Sequence, residues 1–597
     1  MSKASLELGG GNWAAKDGKL LGYAVGDTSG KYLPREFDFT RGADIAATRV
    51  NKDGLIEKYR ENLLLQSNNF GTTWAISNAS LTSGHAGYDG SSDAWQCEAS
   101  GLATVLQSVS TSGVQTFSVY AKAGTENGIF LRADGVNNPR CFFNLDSGTL
   151  GSILGGVIDA NIEDVGNGWH RCSITYSDTT NDARIYVANN SNGFPSSGNI
   201  YIQDAQLEQG LVATDYLESG ATTGKAGVLE DLPRIDYTGG SASLLLEPER
   251  ANDVENSEYH SGSTYANNNV STTDNQAISP EGVQNAAKIV LDSGTNTSNG
   301  GHYFQFGSTA GTDYTISVFA KAGEYRYFTF TYGSYSAGGG HFDLQEGTLL
   351  GTITNANYSN VVASIEDYGN GWYRLVVSLT DNSSVSGRFL SMKPSPDASV
   401  PSNNNYSSTG DGTSGAYIYG FQLEEGSYPT SYIPTYGVSA TRNGDDITYN
   451  GMQSKGIFGA NAGTIFLDIK RAASYDNTEI VWNFRDSSDN DMLMLYYERE
   501  GECDVFRLRN QLDTEFTTDS FTLSFSPKIA IVWDGTSRLE IFGNGSKITK
   551  TGGNFSSDVS IDDMVRQRLD RNTTEFSQIL FFPTALTDSE CIALTTL

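Results

Sequence analysis

The amino-acid sequence predicts an all-β protein, with tandem β-sandwich or jelly-roll domains behind an extended N-terminal arm. Three observations lead there. With 66 Gly, 31 Tyr and 28 Phe in 597 residues and only 18% charged side chains, the composition is one of short aromatic strands separated by polar turns. A chain of this length exceeds one hydrophobic core, and roughly 100–200 residues per domain implies several units. The middle of the chain is also duplicated at a spacing of about 200 residues, a period that marks repeated domains rather than solenoid turns.

Residues 1–60 carry no long strand pattern and are expected to be an arm. They contain LPREFDFTR (33–41) and ATRVNKDGLIE (47–57), in which Asn-Lys-Asp-Gly is a turn signal. Basic residues outnumber acidic ones between Lys31 and Arg60, against the trend of the chain. Arg35, Arg41 and Arg49 are therefore candidates for docking onto another acidic subunit.

The duplication divides the middle of the chain into a first jelly roll (61–220), a connector (221–246) and a second jelly roll (247–442). Its landmarks recur in order: FSVYAKAG (117–124) as ISVFAKAG (316–323), FNLDSGTL (143–150) as FDLQEGTL (342–349), IEDVGNGWHR (162–171) as IEDYGNGWYR (365–374), and IQDAQLEQG (202–210) as IYGFQLEEG (418–426). The first alternates at period two, as a half-buried strand does. Asn167-Gly168 and Asn370-Gly371 supply the positive φ angles of tight hairpins. Trp169 and Trp372 open the next strands and are expected on the core face.

Residues 443–597 form a different unit. TIFLDI (464–469), EIVWNF (479–484), KIAIVW (528–533), LEIF (539–542) and FSQILFF (576–582) read as strands. Thr587 or Asp588 can cap a last short helix.

The formal charge is −31, from 70 acidic against 39 basic residues, so nucleic acid and anionic lipid would be repelled. The opening MSKASLELGGGNWAAKDGK has no signal-peptide pattern, and no apolar run of about 18 residues occurs, so neither export by a visible signal nor membrane insertion is expected. The 5 cysteines lie at irregular spacings without a CxxC pair and read as small buried residues of a protein made in a reducing cytoplasm.

Catalytic and metal signals are weak. Glu163-Asp164 and Glu366-Asp367 are adjacent in strands and point to opposite faces, so neither pair flanks one bond, and the Asp suits turn capping. Gln206-x-Glu208 and Gln422-x-Glu424 share a face and could serve a polar network or a structural calcium, though Asp204 is replaced by Gly420 in the second copy. The histidines form no metal pair or nucleophile–base set, so an enzyme is not expected. No cofactor is expected either. For sugar binding the richest aromatic run is 325–335, where Tyr325, Tyr327, Tyr332 and Tyr335 are candidate stacking residues. Its alternation also fits ordinary two-faced strand patterning.

The series FTR…ATRVNKDGLIE, NLLLQSNNF, SVYAKAG, IEDVGNGW, QLEQG, LPRIDYTGG and LLLEPER resembles modular phage virion proteins of the tail, fibre or head-fibre kind, whose repeats are similar to carbohydrate-binding jelly rolls. The final unit, with SRLEIFGNG and ALTDSE, resembles laminin-G-like or concanavalin-like jelly rolls. This resemblance implies a virion location, capsid, portal-proximal or tail subunits as partners, and attachment to host surface glycans. The alternative it leaves is a glycan depolymerase or a free carbohydrate-binding lectin. A homotrimer is expected because several weak sites on one stalk gain avidity, although the sequence has no coiled-coil heptads.

Overall fold

Period-two patterning becomes sets of antiparallel strands in the computed structural model. It describes residues 3–25, 32–42, 46–296, 300–333, 337–402, 407–474, 479–488, 491–500, 503–509, 515–518, 528–536, 538–548, 550–551, 561–566 and 572–596. The fold is all-β, with tandem sandwiches.

In the first repeat a front layer of strands Thr149–Leu154, Arg140–Asn144, Gly128–Asp134 and Thr180–Ala188 faces a back layer of Gly198–Gln209, Val114–Ala123, Trp169–Ser177 and Val157–Gly166. The 18-residue strand Ala94–Thr111 belongs to both. Its first part pairs with Gly198–Ile202 and its second with Thr180–Tyr186. Phe117, Val119, Leu131, Phe143, Ile174 and Leu207 are among the side chains that fill the space between the layers. The second repeat has two six-stranded sheets with the same pairings, and Ile316, Val318, Phe328, Phe330, Val377 and Leu423 lie in its core.

The duplicated motifs do matching work. Asn167 and Asn370 sit at φ 54° and 52° in their hairpins, and Asp164 and Asp367 accept hydrogen bonds from the amides of Gly166 and Gly369. Asn62 Nδ2 donates to the carbonyls of Ala205 and Leu217, while its Oδ1 accepts from the amides of Leu64 and Leu207. Asn252 makes the same four bonds to Phe421, Ile433, Val254 and Leu423. The carboxylates of Glu208 and Glu424 bind the amides and hydroxyls of Thr214 and Thr430, so the Gln-x-Glu pairs anchor the loops that come after them.

The two tryptophans are buried, but on the other face from the one expected. Cys172 and Ile174 point into the first core, which turns Trp169 outward, where Tyr120 and Ala94 bury it. Trp372 is likewise outside the second core, packed with Ile56, Phe319 and Tyr432. Of the cysteines, Cys97, Cys141, Cys172 and Cys591 are free and buried.

The expected N-terminal arm differs most from what is seen. Leu6–Gly9 pairs with Lys19–Val25 and with Asn572–Phe582, and Tyr32–Thr40 joins Lys19–Val25 to Asp446–Tyr449. From the connector, Ser243–Leu246 also pairs with Asn572–Phe582. The physical reason is burial: Leu6, Leu8, Leu20, Phe37 and Phe39 lie in one core with Trp482, Ile465 and Phe576. The C-terminal unit, whose strands pair into a closed barrel, is thus assembled from three separated stretches of chain. Its helix, Asp588–Thr595, starts at Thr587 with a reciprocal capping box to Glu590.

These stretches meet at a fully buried cluster of charges. Arg41 pairs with Asp445 at 3.1 Å, Arg234 with both Asp445 and Glu247, and Arg442 with Glu247 at 3.1 Å. Arg41 is therefore not a docking residue for another subunit, because its guanidinium is engaged inside the chain.

Candidate functional site

The outer face of the first repeat's front layer carries an arrangement absent from the second repeat. Cross-strand register places Phe130 beside both Phe142 and Tyr186. Their rings are in contact, with Phe130 4.2 Å from Phe142 and 5.4 Å from Tyr186 between centroids. All three are buried by Phe194, whose ring lies 5.3, 5.4 and 5.6 Å from them and is itself 44% exposed.

The loop that carries Phe194 is held in shape. Asn189 Oδ1 accepts from the amides of Ser191 and Gly193, and Asn192, at φ 58°, accepts from the amide of Ser152. The loop packs so closely on the sheet that a Cβ at Gly151 would collide with Asn192 Oδ1.

One step along the same strands the face becomes ionic. Arg132 sits opposite Arg184 and, on its other side, Arg140. Asp134 binds both Arg132 and Arg184, and Arg184 also pairs with Asp182 at 2.8 Å. Ser108 donates to Asp182 as well, and these donors hold its carboxyl below the usual range against the opposing effect of burial. The face therefore offers ring surface next to half-buried, pre-aligned charged groups. That combination can stack on the apolar face of a ring-shaped ligand and hydrogen-bond its polar edge.

In the second repeat the register-equivalent positions hold Thr329, His341 and Lys393 in place of Phe130, Phe142 and Tyr186, and Thr331 and Ser391 in place of Arg132 and Arg184. All five are fully buried. Thr329 and His341 are hydrogen-bonded at 2.9 Å, His341 reaches the carbonyl of Asp397 at 3.0 Å, and burial pushes the Lys393 ammonium down to about 8. This face is closed by the segment after Ser395.

Of the tyrosines expected to bind sugar, the three described do not form an exposed platform. Tyr332 is 0% exposed, packed in the core with its hydroxyl donating to Asp381. Tyr325 and Tyr327 are half-buried at the start of that strand, Tyr325 against the core and Tyr327 beneath the Arg326 guanidinium. Tyr335 lies outside the described residues. Arg35 is half-buried in strand Tyr32–Thr40, and Arg49 pairs with Glu57 at 2.7 Å. Among the described residues no group of three or more His, Cys, Asp or Glu side chains is arranged to hold a metal ion.

Sequence reasoning missed Phe130, Phe142 and Tyr186 because each lies in a continuous apolar run that hides the outward residue. The available signal was the contrast with the polar residues at the matching positions of the second repeat.

No protein-family model and no curated protein matches the chain. Among solved structures it is similar to the N-terminal CBM22-1–CBM22-2 tandem domain of Xyn10C from Paenibacillus barcinonensis, at 11% identity and a TM-score of 0.19, over 64% of this chain and 98% of that one. It is also similar to the M60 catalytic domain with the CBM51-1 and CBM51-2 domains of ZmpB from Clostridium perfringens, at 10% identity and a TM-score of 0.16, over 68% of this chain and 49% of that one.

Proposed function

We propose that the chain is a non-enzymatic structural component of a phage particle, a fibre or a tail or head decoration, that presents its first repeat to host surface glycans. In this reading it assembles with other virion proteins, as a homotrimer, and the second repeat and the C-terminal unit are scaffold. The virion part rests on the modular resemblance of the sequence.

The observation that carries the glycan part is Phe194 over Phe130, Phe142 and Tyr186 beside the Arg132–Asp134–Arg184–Asp182 row. A pyranose ring stacks its C–H face on an exposed aromatic ring, and its hydroxyls bond charged groups already fixed in place, so little ordering entropy is lost on binding. The acidic chain favours neutral over anionic glycans at long range.

A glycan array probed with the full-length protein and with its Phe194→Ala variant tests this. Neutral glycans bound by the first and bound more weakly by the second support the reading; an array on which the two proteins behave alike contradicts it.

A further inference from the structure

Between the two repeats lies a cleft of about 500 Å³, within the range of small-molecule sites, with Lys58, Glu281 and Tyr436 in its wall and Val438 also lining it. The wall is cross-linked by polar contacts. Lys58 Nζ binds Glu258 at 3.0 Å and Glu281 at 2.9 Å, the hydroxyl of Tyr419 lies 3.1 Å from an oxygen of each carboxylate, and Lys58 lies 5.4 Å from the centre of the Tyr436 ring.

Two amide side chains in this wall have an acceptor left over. Asn285, 2% exposed, donates from Nδ2 to Glu281 at 3.0 Å, and Asn256, 8% exposed, donates from Nδ2 to Thr264 at 2.7 Å. Among the described residues the Oδ1 atoms of both are buried without a hydrogen-bond partner, although both residues line the cleft. A buried, unpaired acceptor costs roughly 1–3 kcal/mol, which a ligand bringing donors would recover. Glu208 and Glu255 also line the cleft, so an anionic ligand is disfavoured. A hydroxyl-rich neutral molecule satisfies both conditions.

We propose that this inter-repeat cleft is a second binding site, separate from the aromatic face, for one or two rings of a neutral saccharide whose hydroxyls donate to Asn256 and Asn285. This rests on the glycan reading for its ligand class but not on the Phe194 face. Because both repeats and the segment around Lys58 contribute to the wall, occupancy would also brace the repeats against each other.

The test is calorimetric titration of the full chain with lactose, maltose and cellobiose as probes, repeated on Asn256→Ala and on Val438→Trp. Val438 is 73% exposed, so its replacement obstructs the cleft without disturbing the core. The expected result is a binding event for at least one probe that is about tenfold weaker in Asn256→Ala and missing in Val438→Trp, while any event at the aromatic face stays as it was. The proposal is overturned if none of the three sugars binds or if every binding event persists unchanged in both cleft variants. The glycan-face reading fails independently, when array binding is indifferent to Phe194.

Discussion

Arg41 and Asp445, 404 residues apart in the chain, form an ion pair whose side chains are both 0% exposed. Asp445 also takes Arg234, while Glu247 takes Arg234 and Arg442. This cluster is where the N-terminal strands, the connector and the C-terminal unit are locked together. Asp445→Asn leaves two buried guanidinium groups short of an anion and should cost about 3–5 kcal/mol. Calorimetry should show the C-terminal transition falling while those of the repeats hold; an unchanged C-terminal transition would refute this role.

The same cluster sets an acid limit. Despite burial, the arginines hold the carboxyls of Asp445 and Glu247 below their usual range. Each carboxyl binds its proton less readily folded than unfolded, so its stabilisation is present above the unfolded value, about 4, and lost as pH falls below that. Thermal midpoints of the C-terminal unit should drop through that acid window, and Asp445→Asn should flatten the drop.

Asp204 has the opposite sign. Burial pushes its carboxyl up to about 7, although the Tyr88 hydroxyl donates to it at 3.0 Å. Between about 4 and 7 the folded state keeps a proton that the unfolded state has released, so stability falls as pH rises through that window. Asp204→Asn keeps a residue tolerant of its φ of 52° and removes the charge. Its advantage over the parent should be absent at pH 4 and reach about 1–3 kcal/mol at pH 8. A pH-independent difference would count against buried ionisation at this site.

Asn62 and Asn252 each tie four backbone groups across their own repeat. Asn62→Ala should destabilise only the first repeat and Asn252→Ala only the second, each by about 2–4 kcal/mol, since several bonds of about 1 kcal/mol are lost and buried groups are stranded. Proteolysis coupled to mass spectrometry would show which repeat opens first. Opening of the other repeat in either variant would contradict the assignment.

Phe194, at 44% exposed, offers ring surface while covering Phe130, Phe142 and Tyr186. Phe194→Ala should weaken glycan binding by about 0.5–1.5 kcal/mol, roughly twofold to tenfold, and lower the midpoint of the first repeat alone. A lowered midpoint with unchanged glycan affinity would recast the loop as structural.

Much of the scaffold was legible in the sequence because its signals are local. The Asn-Gly hairpins, the capping Asp164 and Asp367 and the capping Thr587 depend only on neighbouring residues. The pairing of Leu6 with Phe581 has no such signal, because a short strand carries no mark of the partner it will find hundreds of residues away. The site was hidden for a related reason. In Ile129-Phe130-Leu131 and Ile185-Tyr186-Val187 every residue is apolar, so period-two reasoning cannot tell which one faces out. Tyr332 misled from the other direction, its aromatic character serving the core rather than a ligand.

The most direct test of the virion role is cryo-electron microscopy of whole particles that carry this chain. The protein should be docked on a capsid or tail subunit, with the Phe194 face of its first repeat directed away from the particle. Particles that lack the chain, or that bury this face against another subunit, would contradict that role.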